Sequence, residues 1–110
     1  MAGIGSVSVI SATPGTTISI PIDAKVRHHQ VSWTAAQNCT VNLTGDTPAD
    51  GQTLTLLVTN DGILPRVITL GTGLSGNGVI TGIVSKKSLI IFEANSGVFY
   101  ERTRNVGVLG

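Results

Sequence analysis

Residues 68–103 read ITLGTGLSGNGVITGIVSKKSLIIFEANSGVFYERT, and this stretch decides the fold class. Short β-branched and apolar runs such as Ile80–Gly82 and Ser88–Phe92 alternate with glycine-bearing turns at 73–78 and 95–97. β-Branched side chains suit a pleated, half-buried surface, whereas each β-branched residue or glycine costs a helix about 0.5–1 kcal/mol. The segment therefore encodes strands and turns.

The same rule extends towards the N-terminus, where apolar residues recur with a period of two. Ile18, Ile20 and Ile22 alternate with Thr17, Ser19 and Pro21, and Val31 and Trp33 with Gln30, Ser32 and Thr34. Cys39, Val41 and Leu43 alternate with Thr40, Asn42 and Thr44. Leu54, Leu56 and Val58 follow suit, and Leu57 breaks the alternation, which marks a strand apolar on both faces. These are half-buried strands. Thr13-Pro14-Gly15, Gly45 to Gly51, Asn60-Asp61-Gly62, Asn77-Gly78 and Asn95-Ser96-Gly97 supply the turns. The pattern predicts an all-β chain of roughly eight strands, all antiparallel, folded as a jelly-roll-like β-sandwich. It contains no sequence repeat of the kind that marks a solenoid.

The 110 residues make one domain, 1–110. Only 12% are charged, against about 25% in an ordinary soluble domain. Mean hydropathy is +0.34 and net charge +1. The basic residues Lys86, Lys87, Arg102 and Arg104 neighbour acids instead of forming a patch, which argues against nucleic-acid binding. Charge is the residue class most depleted at interface cores, so the composition predicts a surface partly covered by other chains. A lone Cys39 excludes an intrachain disulfide and a cysteine metal site. Neither a signal peptide nor a membrane span is expected from the apolar pattern. Asn38-Cys39-Thr40 and Asn42-Leu43-Thr44 match the glycosylation acceptor pattern by chance in a threonine-rich strand.

Several constellations look chemical. Gly71 to Gly76 matches G-x-G-x-x-G, but a strand follows it where phosphate binding needs a helix N-terminus. His28 and His29 point to opposite faces of an extended segment and cannot share one metal within a chain; a symmetric oligomer would be needed to gather imidazoles at an axis. A Ser-His-Asp reading through Asp23 lacks a nucleophile elbow. Glu93 and Glu101 invite a glycosidase pair, yet with Lys86, Lys87, Arg102 and Arg104 nearby they read as surface ion pairs. Trp33 is in phase with the core, and Phe99 and Tyr100 face opposite ways, so one of the two lies at the surface. No cofactor is implied, and catalysis is not expected.

The C-terminal third resembles a pattern in small structural proteins of tailed bacteriophages. Its steps are Thr69 to Thr72, Gly73 to Gly78, Ile80 to Gly82, Ser88 to Phe92, and an aromatic-Glu-x-x-Arg strand within Asn95 to Arg104. This chain turns with Asn95-Ser96-Gly97 where such proteins usually have Asp-Gly. The resemblance implies a virion structural protein without catalytic chemistry, made in the host cytoplasm. It would be a capsid decoration, or cement, protein on the outer surface of the assembled head. Its expected partners are the major capsid protein and further copies of itself, with a homotrimer favoured. The alternative is a tail or head-fibre module that binds a host-surface glycan; a free carbohydrate-binding module would use Trp33 with His28, His29 and Gln30. The glycine-punctuated ends, 1–5 and 105–110, are expected to be extended arms that lay Ile4, Val106, Val108 and Leu109 against a partner.

Overall fold

The computed structural model describes residues 7–109, in which ten strands follow one another. These are β1 (Val7–Ser11), β2 (Thr17–Ile22), β3 (His28–Ala35), β4 (Cys39–Gly45) and β5 (Thr53–Asn60). They continue with β6 (Val67–Leu70), β7 (Leu74–Ser75), β8 (Ile80–Thr81), β9 (Lys87–Asn95) and β10 (Val98–Leu109). The all-β expectation holds, but the antiparallel jelly roll does not. A six-stranded sheet has the order β1-β3-β5-β9-β10-β7, and a four-stranded sheet the order β2-β4-β6-β8. β1, β3 and β5 pair in parallel, as do β2, β4 and β6. The chain thus visits the two sheets alternately and coils like a β-solenoid. Antiparallel pairing enters only with β8 against β6 and with β9, which pairs with both β5 and β10.

The physical reason for this correction lies in what alternation reports. A period of two says that one face of a strand is buried and leaves open the direction of its neighbour. Parallel sheets usually bury both faces and lose the alternation. Here each sheet buries only the face turned towards the other. The circuits are also unequal, which hides the repeat: Val7 pairs with His28, His28 with Thr53, Thr17 with Thr40, and Cys39 with Ile68.

Between the sheets lie the alternating side chains. Ile18, Ile20, Ile22, Cys39, Val41, Ile68 and Ile80 come from the smaller sheet, and Val31, Trp33, Leu54, Leu56, Val58, Ile90, Phe92 and Phe99 from the larger. Across the larger sheet Ile10, Val31, Leu56 and Ile90 stand in one register row. Full burial of such a side chain contributes about 1.5–3 kcal/mol. Burial of Trp33 and Phe99 and exposure of Tyr100 agree with the alternation read from the sequence.

Corners set the harder problem, because a chain that turns over a core buries main-chain polar groups. Buried side-chain amides answer it. Gln52 Nε2 donates to the carbonyls of Asp23 and Val26 at 2.8 and 2.5 Å, and its Oε1 accepts the Ala49 N–H at 2.8 Å. At the opposite corner Asn60 Nδ2 donates to the carbonyls of Asp61 and Leu64 at 2.9 and 2.7 Å, while its Oδ1 takes the Arg66 N–H at 2.7 Å. Asn38 and Asn42, the two glycosylation-pattern asparagines, accept the N–H groups of Val67 and Thr72 on the next circuit. Gly71 sits against this stack, where a Cβ would run into the Asn42 side chain and the Val41 carbonyl.

Replacing Asn60 by Ala strands one N–H and two carbonyls at a buried corner, so Asn60→Ala is expected to lower stability by about 2–4 kcal/mol. Urea unfolding checks this, and a loss below about 0.5 kcal/mol would show that water satisfies the corner instead.

Candidate functional site

The outer face of the six-stranded sheet is organised by register. One row crosses His28, Thr53, Glu93 and Tyr100; the next crosses Val9, Gln30, Thr55, Ile91 and Thr103; a third crosses Ser11, Ser32, Leu57, Leu89 and Asn105. Leu57, Leu89 and Ile91 are half-buried on this face, and Val9 is exposed. Val9, Gln30, Ser32, Thr55, Leu57 and Leu89 line a shallow groove of about 240 Å³. The run Leu89–Phe92 carries the signal for this surface, since four consecutive apolar residues in a strand must place two on each face. Together with Leu57 it marks an outer face that is apolar and threonine-rich, with hardly any charge at its centre.

Towards the β10 side the face becomes polar. Asp50, Glu93, Asn95, Tyr100 and Arg102 line an open cleft of about 450 Å³. β10 advances two residues, from Glu101 to Thr103, while β9 advances one, so Arg102 occupies a bulge, and there its guanidinium pairs with Glu93. Glu101 lies on the other face, opposite Phe92, with its side chain only 2% exposed. Arg104 grips it through two bonds of 2.6 Å and also donates to the carbonyls of Val79 and Gly78. The Arg104 guanidinium holds the Glu101 carboxyl below its ordinary pKa, against the opposing effect of burial. Because Glu93 and Glu101 sit on opposite faces, they cannot flank one glycosidic bond; both serve as ion-pair partners.

The histidines also divide between faces. His28 Nδ1 is hydrogen-bonded to Thr53 Oγ1 on the outside. His29 is wholly buried, its Nε2 accepting the Asp23 N–H at 3.2 Å, and Nδ1 finds no partner among the described residues. An accepting Nε2 places the proton of the neutral ring on Nδ1. Burial lowers the His29 pKa, and His28 adds to this, while the Asp23 carboxylate opposes both. Buried Cys39 has its thiol pKa pushed up by the same loss of water. Trp33, at 5% exposure, offers no platform to a ligand. The glycine run 71–76 holds the short strand β7 and leads to β8.

Of the residues expected to bind a partner, Val106 is half-buried and packs against the core. Val108 and Leu109 fall in the end of β10, where the Leu109 backbone lies opposite Lys87 after a shift in register. Ile4 and the arm 1–5 lie outside the described residues. Among the described residues no three His, Cys, Asp or Glu side chains gather as a metal site. No family model, curated protein or solved structure matches this chain.

His29 yields a pH prediction. Its pKa is lowered on folding from an ordinary 6.5, so the unfolded chain binds a proton that the folded core resists. The associated stability is complete above pH 6.5 and is lost as pH falls below it, by at most about 1.4 kcal/mol per pH unit. Urea unfolding between about pH 7.5 and 5.5 is expected to show this slope in the wild type and to lose it in His29→Leu. Its persistence in His29→Leu would assign it elsewhere.

Proposed function

We propose that this chain is a structural protein of a bacteriophage virion, a decoration protein that docks on the assembled head through the outer face of its six-stranded sheet. The resemblance of residues 68–103 to phage structural proteins supports the setting. The observation that carries the docking mode is the charge-poor surface built from Val9, Thr55, Leu57, Leu89 and Ile91. A regular, charge-poor β face of this kind suits contact with another folded surface. The partner is the major capsid protein. A ligand that contacts capsid subunits only in their assembled arrangement stabilises assembly by mass action, by about 2.7 kcal/mol per site at a hundredfold excess over its dissociation constant.

A second reading, a fibre module that holds a glycan, is favoured by one feature. Tyr100 is 46% exposed beside Asp50, Glu93, Asn95 and Arg102, so an aromatic ring stands next to groups able to hydrogen-bond hydroxyls. It would replace the site built on Trp33.

Gold labelling of the protein on purified virions separates these readings: even labelling of the head supports decoration, label confined to tails or fibres supports the second reading, and unlabelled virions sink both. On heads, Leu89→Glu is expected to abolish occupancy while the fold is retained. Affinity of the wild type should change less than about tenfold between 50 and 200 mM salt, in contrast to the thousandfold or greater loss of a phosphate binder. A steep salt dependence would show that ion pairs, not the apolar rows, make the contact.

A further inference from the structure

β1 is the outermost strand of the six-stranded sheet, in register with β3 over Val7–Ser11 without a bulge. The Ala12 N–H donates to the Ser32 carbonyl at 2.9 Å, which sets the alternation of the strand. Ser8, Ile10 and Ala12 therefore aim their main-chain groups at β3, and Val7, Val9 and Ser11 aim theirs away from the sheet. Among the described residues no strand pairs with that outer edge.

Open edges are usually guarded by charge, proline, a bulge or shortness. The other edges of this molecule are guarded. On β2 the carbonyls of Thr16 and Ile22 bond to β4 and the turn after it, so Thr17, Ser19 and Pro21 face the open side, and Pro21 has no N–H to offer there. β7 and β8 are two residues each. β1 has none of these devices. Its sequence VSVIS is uncharged and free of proline, and Val7 and Val9 are 54% and 73% exposed.

We propose that a second copy of this chain pairs with β1 in antiparallel fashion about a two-fold axis at Val9. In an antiparallel ladder, residues directly opposite one another exchange both main-chain bonds at alternate positions. An axis at Val9 sets Val9 against Val9 of the second copy and Val7 against Ser11. All three open residues of each strand are then satisfied, with about six new hydrogen bonds. Moving the axis by half a residue sets open residues against residues whose main-chain groups point into the sheets, and moving it by one residue leaves an open residue of each strand without a partner within β1.

Charge argues for a second copy over an unrelated strand. At a two-fold axis every charge meets its own image, which is repulsive, so self-pairing requires a neutral strand with neutral neighbours. β1 has no charged residue, and the outward residues beside it on β3 are Gln30, Ser32 and His28, the last hydrogen-bonded to Thr53, with no Lys, Arg, Asp or Glu among them. The pairing joins the Val9 end of one apolar groove to that of the other, giving a continuous outer face across the dimer. This two-fold assembly is an alternative to the homotrimer that the phage resemblance implies, and it is independent of the virion reading because it concerns the isolated protein.

Sedimentation equilibrium of the full chain tests it. The wild type is expected at twice the 11.3 kDa chain mass in the micromolar range. Val9→Lys is expected at the single-chain mass with an unchanged circular dichroism spectrum, since it places like charges face to face at an exposed position. Mixing Val9→Lys with Val9→Glu should restore the dimer, and Val79→Lys should leave it intact. A wild type that stays at 11.3 kDa overturns the proposal, as does a dimer or trimer that survives Val9→Lys. So does a monomer that dimerises only when residues 1–6 are removed, since the chain's own N-terminus would then occupy the edge.

Discussion

Parallel stacking forces the chain to carry each strand over the core before laying it beside its predecessor, and the rest of the molecule follows from how that crossing is made. Antiparallel neighbours can be joined by two exposed residues; parallel neighbours need a long crossover. Here the crossover is itself a strand of the opposite sheet, so each circuit has two corners and the two sheets cover each other. Corners that pass over a core leave main-chain groups without water. Gln52 and Asn60 bind three such groups each, and Asn38 and Asn42 tie one circuit to the next.

The β9–β10 hairpin and the clamp of Arg104 on Glu101 close the other end of the stack. Arg104 joins β10 to the 78–79 loop while neutralising a carboxylate turned away from solvent. Asp61 with Arg66 and Glu93 with Arg102 consume further charge. A chain with six acids and seven bases that spends three of each in pairs has little left to charge its surface. The neutral outer face of the larger sheet is one result.

Much of this was legible in the sequence. Alternation identified the inward sides of β2, β3, β4 and β5, the burial of Trp33, the opposed directions of Phe99 and Tyr100, and the two-faced character of Leu57. Strand direction was not legible, because Ile18, Ile20 and Ile22 look the same beside a parallel or an antiparallel neighbour. The unequal circuits removed the one clue that would have revealed stacking. Gln52 and Asn60 were hidden for a different reason: an amide beside a turn is ordinary surface chemistry until the corner around it is known to be buried. The Arg102 bulge, which turns that side chain outwards to Glu93, depends on a register that no local pattern encodes. The outer groove was half legible, in Leu57 and in the run Leu89–Phe92, but Val9 could be placed beside them only once β1 was known to pair with β3.

The mixture of pairings also sets the order in which the chain can fold. β9 and β10 meet across a turn at Asn95–Val98, whereas Val7 must find His28 and Cys39 must find Ile68. Closing such circuits costs chain entropy before any contact repays it, and domains dominated by distant pairings fold in milliseconds to seconds. The local hairpin can form first and serve as a template for β5, after which earlier strands add one circuit at a time. On a ribosome the order of emergence runs the other way: the solenoid strands appear before the hairpin that closes their stack, and they wait with open edges until the last strand is made.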